Sequence, residues 1–167
     1  MIVPSKLKEY AKAHQAENKA FCFYLKEHAI KEQLDEQFFH YHKEYFEQYD
    51  CNQCLNCCKE LAPIFEGREL ETLAKASGFD VEDILNVCEQ VSYDSYQVMD
   101  EEQCPFLTEK GCCIPKKKPE CCKDFPYTNQ GNRMESLFGM LSLLPICPIL
   151  YEIYEQLKKD YGFTYEK

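Results

Sequence analysis

Glycine is scarce in this chain, six in 167 residues, and tryptophan is absent. With so few glycines, no G-x-G-x-x-G turn leads from a strand into a helix, so a methyl donor has no recognisable cradle. A G-x-S-x-G nucleophile turn is missing too. Cations are the minority charge, 19 Lys and Arg against 29 Asp and Glu, for a net charge of -10. That balance argues against a nucleic-acid or anionic-membrane partner, because phosphate recognition needs clustered Lys and Arg. The apolar run Leu137 to Leu150 is too short to span a bilayer and is interrupted by Pro145 and Pro148, so it is expected in the core. The segment Met1 to Glu9 has no apolar stretch of signal-peptide length, and the expectation is a cytoplasmic protein.

Cysteine, by contrast, is abundant, with twelve residues. In a reducing compartment, clustered C-x-x-C spacing points to metal ligation rather than to disulfides. The densest stretch is Cys51-Asn52-Gln53-Cys54-Leu55-Asn56-Cys57-Cys58. Two thiols separated by two residues can turn toward one point, and a third at the same interval lets the loop wrap an ion or a cluster. Adjacent Cys57 and Cys58 point to opposite sides of an extended chain, so one of them is expected to face a different partner. A second half follows with Cys104-Pro105-Phe106-Leu107, Cys112-Cys113-Ile114, the run Lys118 to Pro126 containing Cys121 and Cys122, and Cys147-Pro148. Lys110, Lys116, Lys117, Lys118 and Lys123 lie among these cysteines and either offset thiolate charge or form a solvated face; four thiolates around one divalent ion leave about -2. Cys22 and Cys88 lie outside these motifs and read as small buried hydrophobes.

The order C-x-x-C-x-x-C-C, C-x-F-L, C-x-I and a basic residue with P-x-x-C, a basic residue, x and F-P resembles the CxxCxxCC cysteine-cluster proteins, also called YkgJ-like, a family described as zinc- or iron-chelating. The resemblance runs from about Cys51 to Pro126, or to Cys147 when the Cys147-Pro148 pair is counted, and leaves the N-terminal third uncovered. It implies that the metal ligands are Cys51, Cys54, Cys57, Cys58, Cys104, Cys112 and Cys122, with Cys147 as an outlying eighth. This chain departs from the pattern in having Pro115 after the isoleucine, where the family has an aromatic, and Lys118 before the proline, where the family has arginine. Its doubled cysteines, Cys112 with Cys113 and Cys121 with Cys122, leave the assignment open by one residue.

Ser5 to Leu61 contains no Gly or Pro and is rich in helix formers. Leu7, Tyr10, Ala11, His14, Phe21, Tyr24, Leu25 and His28 form one apolar stripe at helical spacing, and Phe38, Tyr41, Tyr45, Phe46 and Tyr49 a second. A break near residues 30–36 is expected, giving two helices packed as a hairpin or side by side. His14, His28, His40 and His42 lack ligand spacing, although His40 or His42, just ahead of Cys51, is the candidate nitrogen donor for a mixed site. Further helices are expected over 66–78 with Gly78 as C-cap, over 81–90 with Asp80 as N-cap, over 133–144, and over 148–161. Residues 91–99 read as a strand paired with 112–115 around a Thr108–Gly111 turn. Asp100, Glu101 and Glu102 read as a solvated acidic turn. The expected fold is mainly α: one compact domain with irregular metal-binding loops and one short β-hairpin, residues 1–50 being a helical segment packed on a cysteine-cluster region, 51–167.

Both zinc and an iron-sulfur cluster suit this donor set. Two C-x-x-C pairs are a zinc pattern. Three cysteines at two-residue intervals with a remote Cys-Pro are a ferredoxin-like pattern, and the reading leans to iron-sulfur. Three function classes are in play. The first is a metal-binding protein with a structural, metal-handling or electron-transfer role, whose partners are the metal and a protein. The second is a cluster-containing enzyme or accessory subunit, since the family resemblance extends to a flagellin lysine methylase with a similar cysteine cluster. The third is a thiol redox protein using Cys57-Cys58 or Cys121-Cys122, which adjacent-residue strain disfavours.

Overall fold

The computed structural model describes residues 2–100 and 102–166. Glu101, read as part of a solvated acidic turn, lies outside the described residues. In chain order the helices are α1 (Leu7–Ala13), α2 (Gln15–His28), α3 (Lys31–Gln48), α4 (Cys51–Cys54), α5 (Asn56–Glu60), α6 (Gly67–Ser77), α7 (Val81–Leu85), α8 (Glu120–Asp124), α9 (Arg133–Met140) and α10 (Pro148–Asp160). The strands are β1 (Ile64–Glu66), β2 (Cys88–Ser92), β3 (Ser95–Val98), β4 (Leu107–Thr108) and β5 (Gly111–Cys112). The fold is mainly α with small antiparallel sheets, and among the described residues no helix is long and apolar enough to cross a membrane. The chain divides into two compact units, Met1–Asp50 with Pro126–Lys167, and Cys51–Phe125.

The first unit is helical. Its predicted stripe is half right: Leu7, Ala11, Phe21 and Leu25 are buried, whereas Tyr10 and His28 stay exposed and Cys22 joins the core. The expected break falls at Ala29 and Ile30, both extended, and a further interruption occurs at His14. The expected pairing of two long helices, as a hairpin or side by side, gives way to the packing of α3 on α9 and α10, and of α2 on α9. The reason is the apolar C-terminal segment, which buries Leu137, Met140, Leu144, Ile149, Leu150, Ile153 and Leu157 and so competes for the same faces. Tyr154 sits at the centre, fully buried, edge-on to Phe21 and Phe38 and donating to the Leu137 carbonyl at 2.9 Å. Pro148 occupies the first turn of α10, where a missing N–H costs nothing.

The second unit carries most of the cysteines. Phe65, Leu70, Leu73, Ala74, Ile84, Val98, Phe106 and Ile114 form its buried core, with Cys88, Cys104 and Cys112 packed against it. Helix α6 ends at Gly78, whose left-handed φ of 78° only glycine adopts without cost, as the C-cap pattern predicts. Asp80 caps α7 through a reciprocal capping box with Asp83. That helix stops at Leu85 rather than continuing to 90. The β-branched Val87 precedes β2 and Val91 lies within it, and the chain folds back as β3 around Tyr93 and Asp94. Strand β3 therefore pairs with β2 and β1, not with 112–115 as expected. The Thr108–Gly111 turn does form, between β4 and β5, where the Thr108 hydroxyl donates to the Gly111 carbonyl at 2.7 Å.

Candidate metal centre

Each predicted ligand of the second unit is set by a short element. Cys51 and Cys54 stand at the ends of the single turn α4, and Cys57 and Cys58 lie in α5. Between them Leu55 takes φ 56°, a left-handed kink that lets two short helical turns follow each other in different directions. Helix α4 packs on β5, where Cys112 resides. Gly111, with φ 104°, faces this packing: a Cβ there would meet the Asn52 carbonyl oxygen at 3.4 Å and the Leu55 methyls at 3.8 Å. Cys104 opens the turn into β4, and Cys121 and Cys122 lie in α8.

Among the described residues, no three His, Cys, Asp or Glu side chains already stand together at metal-ligating geometry. What the fold gathers is a looser group of half-buried free thiols. Cys104 lies within electrostatic reach of Cys58, Cys112 and Cys121, and Cys122 within reach of Cys121, Cys104 and Cys58. Cys57 hydrogen-bonds Cys58. The sulfurs of Cys121 and Cys122 are 3.8 Å apart. Cys113 is exposed, whereas its neighbour Cys112 is half-buried and acts on Cys104, so the fold favours Cys112 of that pair.

The thiols differ electrostatically. The hydrogen bond from Cys57, reinforced by the Lys118 and Lys59 ammonium groups, brings Cys58 down to about 6 against the effect of burial. Burial pushes Cys104 up to about 11, although the Phe106 N–H opposes it. In the Cys121–Cys122 pair, the sulfur–sulfur hydrogen bond holds Cys121 below and Cys122 far above the ordinary thiol range. The Ile64 N–H adds to the lowering of Cys121. The expected lysine offset thus reaches the thiols mainly through Lys118, which is half-buried, while Lys110, Lys116, Lys117 and Lys123 are exposed.

Outer contacts hold α8 in place. One Glu69 oxygen accepts the Glu120 N–H at 2.8 Å and the other accepts the Glu66 N–H at 3.1 Å. Arg68 pairs with the Glu120 carboxylate at 2.6 Å. Neither Glu69 nor Arg68 stands out in the sequence, since their role depends on a long-range meeting of α6 and α8.

The remaining candidates lie elsewhere. Cys147 belongs to the helical unit, where it is buried and precedes α10. His42 bonds the Thr128 hydroxyl at 2.7 Å and stacks on Phe46, and His40 pairs with Glu44 at 3.7 Å, all within that unit. Cys22 donates to the Leu137 carbonyl at 3.6 Å and Cys88 to the Ile84 carbonyl at 3.1 Å, the behaviour of packed thiols.

The donor set fits a zinc or iron centre by its chemistry: soft thiols, shielded by an apolar core and supplied with N–H and ammonium groups that favour the thiolate. A family model, CxxCxxCC, with the description "Putative zinc- or iron-chelating domain", matches residues 50–140. No curated protein and no solved structure matches the chain.

Proposed function

The chain belongs to the CxxCxxCC family, and on that premise we propose that Cys51, Cys54, Cys57, Cys58, Cys104, Cys112 and Cys122 form a thiolate centre for zinc or iron. The observation that supports it is the meeting of half-buried free thiols from α5, β5, α8 and the Cys104 turn in one electrostatic neighbourhood. Thiols with no further use are rarely gathered this way, since mutual charge raises the cost of ionising each of them. A bound ion removes that cost, because it accepts the thiolates as ligands and releases their protons to solvent. Cys147, buried among apolar neighbours in the helical unit, is taken as part of that core.

In this reading the centre ties Cys51–Phe125 together and holds or passes on metal, or electrons when the metal is iron, to a partner protein. The C-x-x-C-x-x-C triplet followed by Cys104-Pro105 favours an iron-sulfur form, and it is the specific support for electron transfer. The free thiols suit a reducing compartment, and we place the protein in the cytoplasm.

The test is elemental analysis of iron, zinc and acid-labile sulfide on protein purified without oxygen. Zinc or iron at stoichiometric level is expected. Iron with sulfide would assign a cluster, zinc alone a structural ion, and protein that purifies and refolds without either metal would overturn the proposal.

A further inference from the structure

We propose that Cys121 is itself a metal ligand, sharing one ion with Cys122. The inference rests on the metal-centre reading above and adds a residue that the family pattern passes over. In the run Lys118 to Pro126, Cys122 occupies the motif cysteine and Cys121 a variable place.

Geometry carries the assignment. The Cys121 and Cys122 sulfurs stand 3.8 Å apart. Two thiolates on one tetrahedral ion, at a metal–sulfur distance of about 2.3 Å, are separated by the chord of the tetrahedral angle, about 3.8 Å. A disulfide would need about 2.05 Å. Successive side chains on a helix splay by roughly 100°, so their convergence in α8 is not the default outcome. Cys104 lies within electrostatic reach of both sulfurs. Around Cys121 the fold supplies what an outer ligand sphere supplies: the Ile64 N–H on its sulfur, and the Glu69 and Arg68 contacts that hold Glu120, its chain neighbour. Cys113, the other cysteine at a variable place of the motif, has no comparable setting and is exposed. The chain therefore offers one thiolate more on α8 than the family pattern requires, and the pair is arranged for a single ion.

The experiment uses the full-length chain, freed of metal under reducing conditions and titrated with Co(II), then with Zn(II) against a chromophoric chelator. Cys121→Ser should lose one thiolate's share of the thiolate-to-cobalt charge-transfer band, about a quarter for a four-coordinate site. Its zinc affinity should fall by more than the 10–100-fold typical of an outer-sphere loss. Cys113→Ser should match the parent in both. Cys121→His, which keeps a donor atom, should recover affinity while its band stays short by one thiolate. A Cys121→Ser protein with the parent's band and affinity would overturn the assignment and leave the metal centre standing. Loss of metal by both Cys121 variants together with the helical signal of the metal-free chain would also overturn it, in favour of a packing role. A parent chain that takes up neither ion would sink the metal-centre reading itself.

Discussion

Cys22 and Cys104 are both thiols that burial holds up at about 11, yet they keep different company. Cys22 faces the Leu137 carbonyl and the Tyr154 hydroxyl in the helical unit, and its sulfur has been absorbed into an apolar core. Cys104 faces three other thiols. The contrast extends to the units that hold them. The helical unit buries large side chains such as Phe21, Phe38, Leu34 and Tyr154 completely. The cysteine-rich unit, residues 51–125, also buries Phe65 and Phe106, but it is built of short elements, and below roughly 70–80 residues a hydrophobic core alone rarely supplies more than 3–5 kcal/mol. Thiols left half-buried in such a unit are where a cross-link by metal adds most.

Metal removal should sharpen this contrast most. Structural zinc sites contribute about 10–16 kcal/mol of apparent binding energy to folding. Chelation under reducing conditions should therefore lower amide-exchange protection across 51–125 far more than in α2, α3, α9 and α10, without unfolding that unit outright; equal loss in both regions would break the comparison. Next in size, Cys104→Ser should strip the protein of bound metal, whereas Cys22→Ser should retain a full complement; elemental analysis of the two variants side by side decides it. Phe38→Ala, in the helical unit, should cost about 3–5 kcal/mol in denaturant unfolding without changing metal content. Asp80→Ala removes the capping box of α7 and should cost about 1 kcal/mol, read in the same way.

The smallest effect is on titration of the metal-free chain. Lys118→Met should raise the midpoint of Cys58 alkylation above about 6, because an ammonium favouring the thiolate is gone. The sign for stability follows from the same shift. A thiol depressed in the folded state stabilises it fully above the ordinary thiol range near 9, and that contribution disappears as pH falls through about 6. Cys104 acts in the opposite sense: raised to about 11, it costs stability as pH climbs past 9, where the unfolded thiol ionises first. Denaturant midpoints of the metal-free chain should accordingly decline on both sides of a maximum near pH 9, and the Lys118→Met variant should lose less on the acid side.

Elements whose signals are local were legible. Gly78, Asp80 and Pro148 each mark a helix end by their own backbone or side-chain chemistry, and each stands where the pattern places it. What escaped was decided at long range. Cys88 to Ser92 continues an apolar periodicity that suits a helix, but pairing with β3 wins it for a strand. The partners of α2 and α3 could not be read from their stripes, since those stripes do not say that α9 and α10 will cover them. For the site, the family model covers the stretch that the motif marks, and the doubled cysteines showed the motif's limit. Cys112 and Cys113 differ by one residue and alternate between the interior and water, whereas Cys121 and Cys122, which a helix sets about 100° apart instead of opposite, are both half-buried.

Leu55 and Gly111, the two left-handed residues that face each other, have a consequence in time. Their contact joins stretches far apart in the chain, and closing so long a loop is slow compared with forming α4 or α5. During synthesis, Cys51, Cys54, Cys57 and Cys58 leave the ribosome well before Cys104, Cys112 and Cys122. For that interval the nascent chain displays an open four-thiol lure, and any ion caught early must be handed on or enclosed when the second half arrives. If the proposed centre forms, an ion is enclosed only once the Leu55–Gly111 contact has closed, so metal uptake and folding follow one order.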